Sequence, residues 1–171
     1  TPTVNRSRII ANLDREDHSK DAGLAYIGPK LRKTYDWRIE RAAKAGAAAI
    51  AARHKQIEDV ATILPMLAEA GVPIIAGTDA GFLNSFNYPG FGLHDEVELF
   101  QKKGLTPAQA LVSATRAGPA WFGQLDRYGA VKPGMAADLV LLRANPLEDI
   151  AATRAIDAVV MRGVVQDRRA L

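Results

Sequence analysis

Asp79 closes an apolar run, Val72-Pro73-Ile74-Ile75-Ala76-Gly77-Thr78-Asp79, and is followed by Ala80-Gly81 rather than by an amphipathic helix. A carboxylate where a buried strand meets its loop stands where α/β folds collect functional groups. It can ligate a metal or accept a proton there. The competing reading is a cap on a helix or turn, the commonest use of Asp after a strand. Three histidines are the other candidates. His54 lies between Arg53 and Lys55, and His18 between Asp17 and Ser19, contexts that read as surface positions. His94 begins a helical pattern, so it either caps that helix or reaches toward the Asp79 loop.

Several chemistries are absent. A hydrolytic metal site needs ligands that converge, and neither H-x-H nor H-E-x-x-H occurs. No phosphate loop of the form G-x-x-x-x-G-K-[ST] is present, and Ser85 and Ser113 lack a G-x-S-x-G frame. With no cysteine there is no disulfide, thiolate ligand or thiol nucleophile.

The elements that would hold Asp79 follow from the pattern around it. Thr1 to about Thr34 reads as irregular, with Gly28-Pro29 as a break. Ala-rich Arg38 to Ala52 has strong helix propensity. Ile57, Val60, Leu64 and Leu67 recur on one helical face, Pro65 bends that helix, and Gly71 suits its left-handed stop. The run 72–79 then reads as a strand buried on both faces of a parallel sheet. In the loop from Gly81 to Gly92, Phe82, Asn84, Phe86, Asn87 and Tyr88 are expected to line one wall of a pocket or to pack on the rim. A helix is expected from about Leu93 to Lys103. Thr106-Pro107-Ala108-Gln109 is a capping box with proline at the first helical position. Beyond Leu125 the period changes to strands, with a type II turn at Val131–Gly134 and a hairpin through Arg162-Gly163.

The chain has 171 residues, 48% hydrophobic and 24% charged, enough for one ordinary domain or one plus an appendage. No apolar run is long enough to cross a membrane, and no secretory signal is visible. The expectation is a soluble, cytoplasmic protein; a start at Thr1 rather than Met points to processing or truncation. Residues 1–55 hold 12 Lys/Arg against 6 Asp/Glu. The charges are mixed and aromatics few, so this excess reads as a solvated helical face and not as a nucleic-acid footprint.

Three motifs in order resemble one family. Ala70-Gly71-Val72-Pro73-Ile74-Ile75-Ala76-Gly77-Thr78-Asp79-Ala80 is similar to the last barrel strand of the amidohydrolase superfamily, nearest to imidazolonepropionase-like and Xaa-Pro dipeptidase-like hydrolases. Gly104 to Ala114-Thr115 resembles the closing helix, and Gly129 to Val140 the return into a small β domain. Thr1-Pro2-Thr3 is similar to the end of the preceding barrel strand. The resemblance implies an α/β fold. Residues 1–125 would be the C-terminal part of a metal-dependent (β/α)8 TIM barrel, and residues 126–171 strands of a small composite β-sandwich domain.

It also implies that Asp79 is both metal ligand and catalytic proton shuttle. The cofactor would be a divalent metal, expected to be zinc, with one or two ions in the complete enzyme. The other ligands, an H-x-H, a lysine and two histidines, would lie upstream of Thr1. The implied activity is hydrolysis of carbon–nitrogen bonds in a small amide, cyclic amide or dipeptide. The chain alone would be inactive and would need the missing N-terminal barrel segment or a partner chain, in a homo-oligomer with no nucleic acid or membrane partner. The alternative is a non-catalytic remnant or self-associating module.

Overall fold

Helix ends in this chain are set by its glycines and prolines, and they explain where the segments turn. A computed structural model describes residues 1–81 and 84–167. Helix α1 (Val4–Ala11) follows Thr1–Thr3, and a 3-10 turn spans Ala22–Tyr26. The N-terminal stretch expected to be irregular is therefore partly helical. Helix α2 (Pro29–Ala43) begins with Gly28 as N-cap and Pro29 as first residue, so the Gly-Pro pair starts a helix here instead of only breaking one. The Ala-rich segment does not run through as one helix. It divides at Lys44–Gly46, and α3 (Ala47–Glu69) carries Pro65 inside it.

Helix α3 stops at Gly71, whose φ of 71° is the left-handed conformation that glycine adopts without Cβ strain. Val72 N–H donates to Leu67 O at 2.9 Å and Gly71 N–H to Ala68 O at 3.1 Å, a Schellman closure. Residues 72–80 that follow carry no assigned strand, contrary to the sequence reading. The apolar pattern is that of a strand, but a ladder needs a neighbour. Among the described residues the tie to the rest of the fold through a backbone amide here is Ala76 N–H to Ser113 O, at 2.9 Å. Ile74 to Thr78 are accordingly only half-buried. Thr1 lies against this segment so closely that a Cβ on Gly77 would stand 2.5 Å from its methyl group.

Helix α4 (Phe91–Lys102) packs against α1 and against α5 (Pro107–Thr115). The expected capping box at Thr106 is formed: its hydroxyl accepts from Gln109 N–H, and the Gln109 side chain accepts from Thr106 N–H at 2.8 Å. Val4, Leu64, Val97, Phe100, Leu105, Ala110 and Ile150 make the main core where α1, α3, α4 and α5 meet. A second cluster of Ile9, Tyr35, Phe86 and Tyr88 joins α1 and α2 to the loop before α4.

After the short α6 (Ala117–Trp121), the chain forms β1 (Leu139–Leu142), a 3-10 turn at Ile150–Arg154, β2 (Ile156–Met161) and β3 (Val164–Val165). The antiparallel order is β1-β2-β3, with Leu139 opposite Val160 and Val160 opposite Val165. The turns are those the sequence predicts. Gly134 has φ 86° with Met135 N–H bonded to Lys132 O, and Arg162 and Gly163 both take positive φ, as a type I′ hairpin turn requires. An apolar cleft of about 1050 Å³ separates α4 to α6 from β1 and is lined by Leu93, Leu111, Phe122, Leu139 and Leu141.

One buried charge locks α1 to α4. The Glu96 carboxylate is fully inaccessible and accepts the backbone N–H of Val4 at 2.8 Å and of Asn5 at 2.6 Å. These are orphan donors at the start of α1, which has no acidic residue in its own first turn. Burial raises the carboxyl above its ordinary range, and the two N–H donors offset only part of that rise. Glu96→Ala is expected to destabilise the fold by about 3 kcal/mol, because two buried donors lose their acceptor. Glu96→Gln should cost nearly as much, since its NH2 would face a donor. Denaturant unfolding of both variants checks this.

Candidate functional site

The polar loop Asn84–Tyr88 and α1 together determine the conformation of the Asp79 turn. Asp79 has φ 54°, a left-handed conformation that Asp tolerates better than bulkier residues. Three side-chain contacts hold it. Asn84 donates from Nδ2 to Asp79 O, Asn87 donates from Nδ2 to Thr78 O, and Thr78 Oγ1 accepts from Ala80 N–H at 3.2 Å. Asn84 and Asn87 are buried, so each must use its amide within the protein. Asn5, fully buried on α1, donates to Asn87 Oδ1 at 3.3 Å, and Glu96 holds Asn5 by its backbone. The buried network thus runs from Glu96 through Asn5 and Asn87 to the peptide preceding Asp79.

The Asp79 carboxylate itself is 61% exposed. Its partner is Arg6, with Nε 3.6 Å from Oδ2, and the same Nε donates to Asn84 Oδ1 at 2.7 Å. An exposed carboxylate held on a rigid turn beside a guanidinium can act as a ligand or as a proton acceptor. It does not constitute a metal site. Among the described residues no group of three or more His, Asp or Glu side chains converges in a way that could hold an ion. Zinc takes three or four protein donors, so one carboxylate does not fit it alone.

The histidines stand elsewhere. His18 is not a surface residue: its side chain is 12% exposed, with Nδ1 2.9 Å from Asp21 and the ring stacked on Phe86 at 4.5 Å. Tyr88 O–H donates to the same Asp21 carboxylate at 2.9 Å, and burial, then that hydrogen bond, push its hydroxyl well above the usual phenol range. His54 is also largely covered and sits 3.0 Å from Asp14 Oδ1. His94 follows neither sequence reading. Gly90 is the N-cap of α4, and the His94 ring sits 3.0 Å from Thr153 Oγ1, at the cleft beside the sheet. Of the expected pocket-wall residues, Phe86, Asn87, Tyr88 and Asn84 are buried in support of the loop. Phe82 lies outside the described residues.

Arg6, Asn5 and Glu96 carry no local motif, and sequence reading missed them. Their contacts with the loop and with each other cross 78 to 91 positions, a separation at which periodicity says nothing.

Asp79 thus stands as an exposed carboxylate at the end of the apolar segment 72–79, with helices before it and a small antiparallel sheet further down the chain. Residues 18–165 match the Amidohydrolase family, and the chain belongs to that family. The fold class is therefore that of the TIM-barrel hydrolases. Ochratoxinase of Aspergillus niger is 36% identical over 84 residues, covering 48% of this chain and 16% of that protein. Bottromycin amidohydrolase superposes with a TM-score of 0.75 at 24% identity over 99% of this chain and 36% of its own. A Xaa-Pro dipeptidase with bound methionine superposes with a TM-score of 0.64 at 21% identity, over 98% of this chain and 34% of its own. The chain spans between 16% and 24% of the curated relatives it matches.

Burial, and next the charge of Arg154, lower the His94 pKa below its ordinary 6.5. A depressed folded value means the unfolded chain binds the proton more tightly. His94 therefore contributes stability above about pH 6.5 that is lost as the pH falls through its folded value. His94→Gln, which keeps a partner for Thr153, should flatten the decline in stability below pH 6.5. Unfolding midpoints measured from pH 7.5 to 5 test this.

Proposed function

We propose that this chain forms the Asp79 end of a hydrolase active site acting on carbon–nitrogen bonds of an amide, cyclic amide or dipeptide. The observation that carries the reading is the Asp79 turn: an exposed carboxylate fixed by buried asparagines at the end of the apolar run 72–79, within the residues that match the family. The names of the structural neighbours, an amidohydrolase and a Xaa-Pro dipeptidase, support this class of reaction. In this reading residues 1–125 are the closing part of a (β/α)8 barrel, and residues 126–171 contribute strands to a small β-sandwich. The segment 72–80, half-buried over Ile74–Thr78 and without a strand partner among the described residues, supports the need for more barrel.

Asp79 would serve as one ligand of a divalent cation, zinc by preference, and as acceptor of the proton released when water attacks the bond. When bound, such an ion supplies an acidified water and polarises the carbonyl. The remaining ligands would come from outside the described residues. What this chain contributes is a carboxylate at fixed height and angle, with Arg6 beside it. The location proposed with this reading is the cytoplasm. No helix among the described residues is long and apolar enough to cross a membrane.

A second reading, a self-associating module without activity, draws on the exposed Val140, Leu141, Val164 and Val165 of the sheet. The two separate on one variant. Asp79→Asn in the active protein is expected to lower kcat by at least ~10³-fold, the scale of a lost catalytic group, with the unfolding midpoint unchanged. The fold should persist because the carboxylate is mostly exposed and its backbone is held by Asn84. Turnover equal to the wild type would remove Asp79 from the chemistry.

A further inference from the structure

One member of the positive excess of residues 1–55 lies at the candidate site. Arg6 of α1 stands beside Asp79. Arg38 of α2 lies within reach of the charges of Arg6, of Arg41 on its own helix and of Arg53 on α3. Arg38 is half-buried, and its guanidinium is lowered first by burial and then by the charges of Arg6, Arg41 and Arg53. Of the guanidiniums whose charges reach Arg38, Arg6 is the one that stands beside the carboxylate proposed to take part in hydrolysis.

Arg6 is the member of this group that is prepared for a ligand. Its Nε is committed to Asn84, whose other end holds the Asp79 carbonyl, so the side chain is anchored in the same frame as the candidate catalytic carboxylate. Among the described residues, neither Nη atom of Arg6 makes a hydrogen bond. The ion pair with Asp79 is long, at 3.6 Å, and both side chains are substantially exposed, so it contributes little on its own. A guanidinium held by Nε keeps two parallel N–H donors at its far end, the geometry that a carboxylate meets with both oxygens. Arg38, whose charge interacts with that of Arg6, strengthens the attraction for an anion at that point without needing to touch it.

We propose that Arg6 is the specificity-determining residue of the site and binds a carboxylate of the substrate, so that the amides hydrolysed are those of carboxylate-bearing molecules such as N-acyl amino acids or dipeptides. This rests on the hydrolase reading of Asp79. It adds a preference that neutral amides, ureas and carbamates would not satisfy.

Binding of two probes without a carbon–nitrogen bond tests the inference independently of turnover: 3-phenylpropionate and 3-phenyl-1-propanol, titrated calorimetrically into the protein at low salt. The wild type is expected to bind the carboxylate at least ~10-fold more tightly than the alcohol. Arg6→Met, close in volume and uncharged, should abolish the difference, and Arg6→Lys should retain part of it, because charge remains and the fork is lost. Equal affinity of the wild type for the two probes overturns the proposal, as does a preference that survives in Arg6→Met. The wild-type comparison stands whether or not either variant folds. Asp79→Asn separates the two claims. If it keeps full turnover, the hydrolase reading fails, whereas a missing carboxylate preference with Asp79-dependent turnover removes only the role of Arg6.

Discussion

A buried carboxylate accepting two backbone N–H groups is the constraint on which the site depends. Glu96 reaches from α4 to the first turn of α1. That bond fixes the axial position and rotation of α1, and with it the two residues the Asp79 turn needs. Asn5 is directed to Asn87, and Arg6 to Asn84. A charge buried without partners would be untenable in this core. Here the helix start supplies the donors and its dipole favours the negative charge. The same contact, which joins Val4 to Glu96 across 92 positions and satisfies the helix end, therefore also sets the height of the Asp79 turn.

The second constraint is an incomplete pairing. Residues 72–80 carry the apolar character of a central strand, and the turn that ends them is tightly held, yet the segment lacks ladder partners among the described residues. Strand edges of this kind are covered in stable proteins. The exposed face of the three-stranded sheet and the apolar cleft beside it pose the same requirement at the other end of the molecule. Under the proposed reading, further barrel strands would pair with the segment 72–80 and further sandwich strands would cover the sheet. In a barrel of this class the substrate pocket is shared among loops that follow different strands.

What the sequence made legible was local. The capping box at Thr106, the glycine stop at Gly71, the Lys132–Met135 turn and the hairpin at Arg162-Gly163 each depend on residues within a few positions, and each stands where its chemistry placed it. The position of Asp79 at the end of the apolar run was legible for the same reason. Helix α1 was not, because its eight residues have no acidic first turn or side-chain cap of their own, and the carboxylate that caps it lies on α4. His18 was misread as exposed because its polar neighbours, Asp17 and Ser19, conceal that the ring stacks on Phe86 from a distant loop. His94 likewise takes its partner, Thr153, from a turn far down the chain. The family motifs identified the class of protein, whereas Arg6, the residue that gives the site its charge, could be found only once α1 was placed beside Asp79.

The account holds that this chain brings one carboxylate to a zinc-type hydrolase site and that the other ligands come from elsewhere. Native mass spectrometry of the 171-residue chain with equimolar zinc addresses that claim directly. The account predicts that the chain by itself retains no stoichiometric zinc after buffer exchange. A tightly held one-to-one zinc adduct of the isolated chain would contradict it, because the chain would then contain a complete metal site that a single carboxylate at Asp79 does not provide.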